Sequence, residues 1–331
     1  MRQRTVWVWR RASARYPFLP TLKRRLTGAA LRVNRRFTLG RQDGPGQEIS
    51  GVDPAKFVWI FCVGRSGSTW LGAMMGEMER HRVWFEPRIS QLFGQFYANT
   101  PQQKRESADF IMGDPVRQGW ISSIRYFVLV GARYAFPRLS HEDYLVIKEP
   151  GGGAGAQLLS EALPESRMIL LVRDPRDVVA SSLDARREGG WNYERNKGKS
   201  RERQEPPKKG SVRFAKGRSQ KYLKGMGNAK EAYDAHTGPK VLIRYEELRA
   251  DTLATMKLMY STLGLPVEED ELAQVVEKYS WENIPEEQKG EGKFYRKATP
   301  GGWRDDLTEE QAEMVERVTA PLLKELYPEK V

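Results

Sequence analysis

Between residues 57 and 263 the chain repeats one hydrophobic pattern: a short unbroken apolar run, a turn, then apolar residues at helical spacing. Residues 57–63, FVWIFCV, are too few for a buried helix and are closed by Gly64, which predicts a central strand. Residues 144–147 (YLVI), 168–172 (MILLV) and 241–244 (VLIR) predict three more. The periodic stretches between them predict helices over 69–80, 154–163, 175–186 and 252–263. Strands alternating with helices imply an α/β fold, a parallel sheet with helices on both faces, whose ligands bind at the carboxyl ends of the strands.

Other stretches extend this repeat. Residues 115–136 predict a helical insertion, and 308–327 a helix packed by one face, opened by the capping-box pair Thr308 and Gln311. Residues 186 to about 227, with Gly189, Gly190, Pro206, Pro207 and Gly210 among many charges, are expected to be partly loop. Residues 1–50 form an extension to a main domain at 51–331. Within it Leu22, Leu26, Ala29, Ala30, Val33 and Phe37 recur at helical spacing with basic residues between them, and 40–51 reads as a linker. A basic amphipathic helix over 21–37 suits peripheral contact with an anionic membrane or packing on the domain.

Charge sharpens the division. The whole net charge of +12 is matched by residues 1–41, which carry twelve Arg or Lys and no acid; residues 185–224 hold 14 basic residues against four acidic ones. A single cysteine, Cys62, excludes a disulfide framework and a thiolate metal site. No apolar stretch approaches the ~18 residues of a membrane span. The expected setting is cytoplasmic, with the membrane contact of 21–37 as its one qualification.

The chemistry concentrates after the first strand, in residues 61–71, FCVGRSGSTWL. A strand that turns through glycines directly into a helix presents unpaired N–H groups and the positive end of the helix dipole to an anion. Gly64 and Gly67 allow close approach; Ser66, Ser68 and Thr69 add hydroxyls, and Arg65 a permanent charge with a fork of donors. The nucleoside-triphosphate loop G-x-x-x-x-G-K-[ST] is not matched, so the Ser or Thr that organises Mg²⁺ is missing.

Arg65, Ser66, Gly67, Ser68, Thr69 and Trp70 resemble, position by position, the 5′-phosphosulfate loop of the sulfotransferases that use 3′-phosphoadenosine 5′-phosphosulfate (PAPS). A second segment resembles that family's 3′-phosphate site, an Arg after a strand and a Ser eight places later: Arg173 and Ser181, with Pro175 starting the helix and Asp174 and Asp177 available to its N-terminal donors. A third resembles its nucleotide-covering loop: Arg296, Lys297, Gly301 and Trp303 fall in register, with Ala298 where the family has glycine. Tyr279, Ser280 and Trp281 are similar to the segment that lays an aromatic on adenine, with Trp70 as the second flank. The resemblance spans 57–307, about three quarters of the chain. It implies a single P-loop-like domain related to nucleotide kinases, with PAPS as donor and no metal.

The same resemblance assigns catalytic roles to Arg65 on the leaving group, to Lys148 at a strand end beside the sulfuryl group, and to a base. The His that cytosolic small-molecule members place two residues beyond the Lys is Pro150 here. Residues 82–88 are instead similar to the segment carrying the Glu of carbohydrate and tyrosyl-protein members, which gives Glu86. Glu149 stands as the competing base, or as the ion-pair partner of Lys148 or Arg88. The expected acceptor is a hydroxyl of a carbohydrate, glycolipid or related metabolite, with no nucleic-acid partner. Two other readings stay open on sequence: a Mg-dependent nucleotide or sugar kinase, which accounts for the first loop alone, and a nucleic-acid or membrane-binding protein, which accounts for the basic segments alone.

Overall fold

The computed structural model describes residues 52–151, 153–197, 205–208 and 210–328. The extension read at 1–50, its amphipathic stretch at 21–37, the end of the linker and part of the basic segment lie outside them. Strands β1 (Phe57–Cys62), β2 (His81–Phe85), β3 (Tyr144–Pro150), β4 (Arg167–Val172) and β5 (Lys240–Arg244) form one parallel sheet in the order β2-β3-β1-β4-β5. All six residues of β1 are buried although alternate side chains point to opposite faces. Both faces of the sheet are therefore covered, which is why the central strand shows no polar alternation.

Among the described residues the α-helices of six residues or more are α1 (Ser68–Glu77), α2 (Arg117–Ala135), α3 (Gly153–Ala162), α4 (Pro175–Arg186), α5 (Trp191–Asn196), α6 (Val212–Ala235), α7 (Tyr245–Ala250), α8 (Thr252–Thr262), α9 (Glu269–Lys278) and α10 (Glu309–Leu326). Helices α1, α8 and α9 pack together on one side, α1 against β1, β2 and β3 and α8 against β5. On the other, α3 and α6 pack against β1 and each other, and α4 and α10 pack on α6. At α10 the Thr308 hydroxyl accepts from the Gln311 N–H, while the Gln311 carboxamide accepts from the Thr308 N–H, the reciprocal cap its sequence predicts.

Two features correct the sequence reading. Strand β2 was not expected, because HRVWF is short, opens on His and Arg, and has only His81 fully buried. The basic segment, expected to be partly loop, also holds a helix that the sequence reading did not name: from Val212 it is α6, capped by the Ser211 hydroxyl on the Phe214 N–H. Its buried stripe is Ala215, Ser219, Tyr222, Met226, Ala229 and Ala232. Small and polar residues at those positions hide the period under the lysines around them.

Register brings the ends of the strands level. Cys62, the buried last residue of β1, lies opposite Pro150; Phe85, the last of β2, opposite Lys148; and Val172, the last of β4, opposite Arg244. The residues that follow β1, β2 and β4 thus leave the same edge. There the chain goes from β1 one way to β2, then from β3 across β1 to β4, and such a reversal opens a crevice at that edge.

Candidate active site

Gly67 stands at the N-cap of helix α1, and its φ of 86° is the left-handed conformation that glycine adopts at no steric cost. A Cβ there would lie 2.5 Å from the Tyr245 ring, so the first turn can come this close to α7 only with glycine. Arg65, two residues earlier, has φ 80° without that excuse. Its Nε donates to Ser181 Oγ at 3.0 Å and its Nη2 to the Phe294 carbonyl at 3.0 Å. The guanidinium lies 5.3 Å from the Trp191 ring and 5.0 Å from that of Phe294.

Helix α4 organises the far wall. Asp174 caps it, accepting from the Arg176 N–H at 2.9 Å. Asp177, Ser181 and Asp184 then share one face at positions i, i+4 and i+7. Asp177 does not serve the donors of its own helix, as the sequence suggested. Its two oxygens accept from the N–H groups of Gly301 and Trp303, at 2.8 and 3.0 Å. Both oxygens of Asp184 lie 3.0 Å from the Gly292 nitrogen. Through these two carboxylates α4 fastens the segment from Gly292 to Trp303 over the loop after β1. Burial raises the pKa of Asp177 against the opposing pull of Arg173.

Two further motif arginines, Arg173 and Arg296, lie near Arg65. Arg173 donates Nη1 to the Arg65 carbonyl at 3.0 Å and lies 4.2 Å from the Tyr245 ring centre. Arg296 pairs with Asp306, and Lys297 with Asp305 and Asp306. Burial first, then Arg173 and Arg296, push Arg65 down to about 10, the mark of a cation confined among like charges. Ser66 Oγ and Arg173 Nε are buried with no hydrogen-bond partner among the described residues. Unpaired buried donors cost about 1–3 kcal/mol each, and an anion rich in acceptor oxygens fits this set. Ala298 has φ 51°. The position where the sequence departs from glycine thus keeps the glycine conformation, and its carbonyl accepts from Arg249 Nε at 3.0 Å.

A second group forms on the β2 side. Lys148, 2% exposed, places Nζ 2.8 Å from Glu86 Oε1 and 3.0 Å from Thr69 Oγ1. Pairing of β2 with β3 sets Glu86 beside it, and the Glu86 N–H donates to the Lys148 carbonyl at 2.9 Å. Glu149 makes neither of the ion pairs expected for it. Its oxygens accept from the Ile89 N–H at 2.7 Å and the Ser90 hydroxyl at 3.0 Å, while Arg88 turns to Gln91. Burial raises the Glu149 pKa against these bonds. It therefore anchors the turn that carries Glu86. That turn is strained: Glu86 has φ 51° and Arg88 φ 67°. Among the described residues, Arg65, Glu86, Arg88 and Ala298 are the non-glycine residues with positive φ, and all four lie in the segments gathered here. Such conformations cost roughly 1–3 kcal/mol each and cluster where function holds them.

The expected aromatic residues sit further back. Trp70 is buried, donates Nε1 to the Tyr279 carbonyl at 2.8 Å, meets Tyr245 edge-on and has Arg249 at 5.5 Å. It ties α1 to the segment carrying Trp281, which is half-buried with Lys289 Nζ 5.2 Å from its ring. Sequence reasoning missed Asp184, Tyr245, Trp191 and Phe294 as neighbours of the motif residues. Only Asp184 left a signal, as a second acid two turns beyond Asp177 on one helix face. Among the described residues no group of three His, Cys, Asp or Glu side chains is placed to hold a metal ion, and no helix is long and apolar enough to cross a membrane.

A family model described as a sulfotransferase domain matches residues 154–327. No curated protein matches the chain. Among solved structures, the mouse sulfotransferase SULT7A1 complexed with PAP aligns with a TM-score of 0.50 and 13% identity over 81% of this chain and 83% of that one. Sulfotransferase STF9 from Mycobacterium avium aligns with a TM-score of 0.51 and 12% identity, over 82% and 77%. At these identities the two structures speak for the fold. The family match covers the segments of Arg173, Ser181 and Arg296, while the loop of Arg65 and the Glu86–Lys148 pair lie before its first residue.

Proposed function

The chain belongs to the sulfotransferase domain family, and from that premise we propose that PAPS is its donor and a hydroxyl of a carbohydrate, glycolipid or related metabolite its acceptor. The observation that carries the donor reading is the convergence of Arg65, Arg173 and Arg296 from three separate segments beside two buried, unpartnered donors. PAPS supplies the sulfuryl group and, as adenosine 3′,5′-bisphosphate (PAP), the leaving group. Ser66, Gly67, Ser68 and Thr69 at the start of α1 hold the 5′-phosphosulfate with N–H and hydroxyl donors. Arg173, Ser181, Arg296 and Lys297 hold the 3′-phosphate, and Trp70 and Trp281 flank the base. Arg65 lies between the two anion positions and neutralises charge on the leaving phosphate.

Glu86 takes the proton from the acceptor hydroxyl. Its carboxylate is 19% exposed, so an acceptor can reach it, whereas Glu149 is enclosed and its oxygens are occupied. Lys148, held between Glu86 and Thr69, sets its ammonium beside the loop and against the Glu86 carboxylate. A Glu base in place of the missing His supports the sugar-like hydroxyl over a phenol.

Calorimetry without Mg²⁺ tests the donor site. Arg173→Ala should weaken PAP binding about tenfold to a hundredfold, the worth of one charge-assisted hydrogen bond, and leave affinity for AMP, which lacks the 3′-phosphate, within about twofold. Equal losses for the two nucleotides, or, once Mg²⁺ is added, binding of ATP·Mg²⁺ in preference to PAP, would sink the assignment.

A further inference from the structure

Beside the site two arginines stand apart from any acid among the described residues. Ser182 and Arg186 are four residues apart on α4 and so share a face. From α6, Arg218 donates Nη2 to Ser182 Oγ at 3.1 Å, and Arg186 lies close enough to Arg218 to act on its charge. Arg218 Nε is buried without a partner. Burial pushes both arginines below their usual range, Arg218 to about 10, where Arg186 adds to the effect. Structural arginines at such depth ordinarily meet carboxylates, as Arg176 meets Asp174 and Glu316 here.

The face of α6 that carries Arg218 also carries Tyr222 and Gly225, at i+4 and i+7. Tyr222 donates its hydroxyl to the Arg173 carbonyl at 2.8 Å, directly after β4. A Cβ on Gly225 would meet the Val63 side chain, directly after β1, at 3.5 Å, and the Gly225 carbonyl lies 2.1 Å from where a Cβ on Gly153 would be, at the turn that follows β3. This face of α6 therefore crosses the carboxyl edge of the sheet from the donor loops toward the strand of Lys148. From Arg218 to Gly225 is seven residues, about 10 Å along the helix.

We propose that Arg186, Arg218 and Ser182 form a second anion site, distinct from the Arg65, Arg173 and Arg296 cluster, that takes a phosphate, sulfate or carboxylate carried by the acceptor. The word acceptor rests on the sulfotransferase reading; the anion site itself does not. An acceptor with a negative group near its reactive hydroxyl is then oriented by two forks of N–H donors, and a neutral analogue forfeits those bonds.

The test uses the full chain saturated with PAP, so that the donor site is filled. Inorganic phosphate, glucose 6-phosphate and, as its neutral counterpart, glucose are titrated at constant ionic strength while the melting temperature is followed. Phosphate and glucose 6-phosphate should give a saturable rise that glucose lacks; a larger response to glucose 6-phosphate marks an anion presented on a sugar, an equal one a free anion held at the same residues. Arg186→Gln combined with Arg218→Gln should abolish the rise, the milder Ser182→Ala weaken it severalfold, and PAP affinity stay within about twofold of the parent in both. A rise no larger than sodium chloride gives, one that survives the double substitution, or one seen only without PAP overturns the inference. If PAP itself does not bind, the donor reading falls, and dependence of the phosphate response on Arg218 in the nucleotide-free protein still decides the second site.

Discussion

Glu86 combines three properties that rarely meet in one residue: positive φ, an ammonium 2.8 Å from its carboxylate, and partial access to solvent. Gln at that position keeps the size and can still accept from Lys148, but it cannot take a proton. Glu86→Gln should therefore lower turnover at least about a hundredfold while PAP affinity by calorimetry is kept; sulfated product formed at near the parent rate would remove Glu86 as the base. Ala298 offers the opposite kind of test. Its φ of 51° lets glycine fit with less strain, so Ala298→Gly should stabilise the fold by about 1 kcal/mol net of the added chain entropy, read as a higher melting temperature. A lower one would mean that the methyl group packs usefully. At this scale part was legible, because Arg65 follows directly on a strand that a hydrophobic run announces, while Ser181 and Lys148 were reached through the family resemblance. Glu149 was not, since its partners are an amide and a hydroxyl in a turn whose shape no local pattern encodes.

Among the elements, α4 governs the site's geometry by gripping backbone that lies more than a hundred residues away. Asn in place of Asp177 retains one acceptor oxygen of the two. Asp177→Asn should then speed hydrogen exchange at the Gly301 and Trp303 amides about tenfold, the worth of one lost bond of ~1.4 kcal/mol, with a smaller change in the strands. Unchanged exchange at both amides would show that the loop is held by Arg296, Lys297 and their acids instead. The start and end of α4 were readable from Pro175 and the apolar spacing, but its grip was not, because a carboxylate facing a distant amide has the same local sequence as one facing water. Helix α6 was missed for a related reason: an interface built from Ala215, Ser219, Ala229 and Ala232 leaves little hydrophobic contrast against lysine.

For the whole molecule, the sheet's buried rings set a response to acid. His81 is 2% exposed, stacked on Tyr144 at 5.5 Å and tilted against Tyr260 at 5.4 Å, and neither ring nitrogen has a partner among the described residues. Burial, then Arg82, push it down to about 4 from 6.5. The unfolded chain thus binds the proton first. Stability is held above pH 6.5 and lost as pH falls toward 4, by about 3 kcal/mol from this group. His236, lowered by its own burial, acts in the same direction. His81→Phe keeps the ring and removes the proton site, so its melting temperature should fall less than the parent's between pH 6.5 and 4; parallel curves would contradict the account.

The buried end of β1 also makes the protein its own reporter. Cys62 is the one thiol in the chain, 2% exposed, with burial pushing its pKa up to about 11. A thiol-reactive dye meets it only when the central strand parts from its neighbours, so labelling counts openings of the middle of the sheet and nothing at the surface. Any ligand that grips the loop two residues further on slows that clock by the factor it contributes to stability. A binding screen then needs no knowledge of the acceptor, only a stopwatch on one sulfur atom.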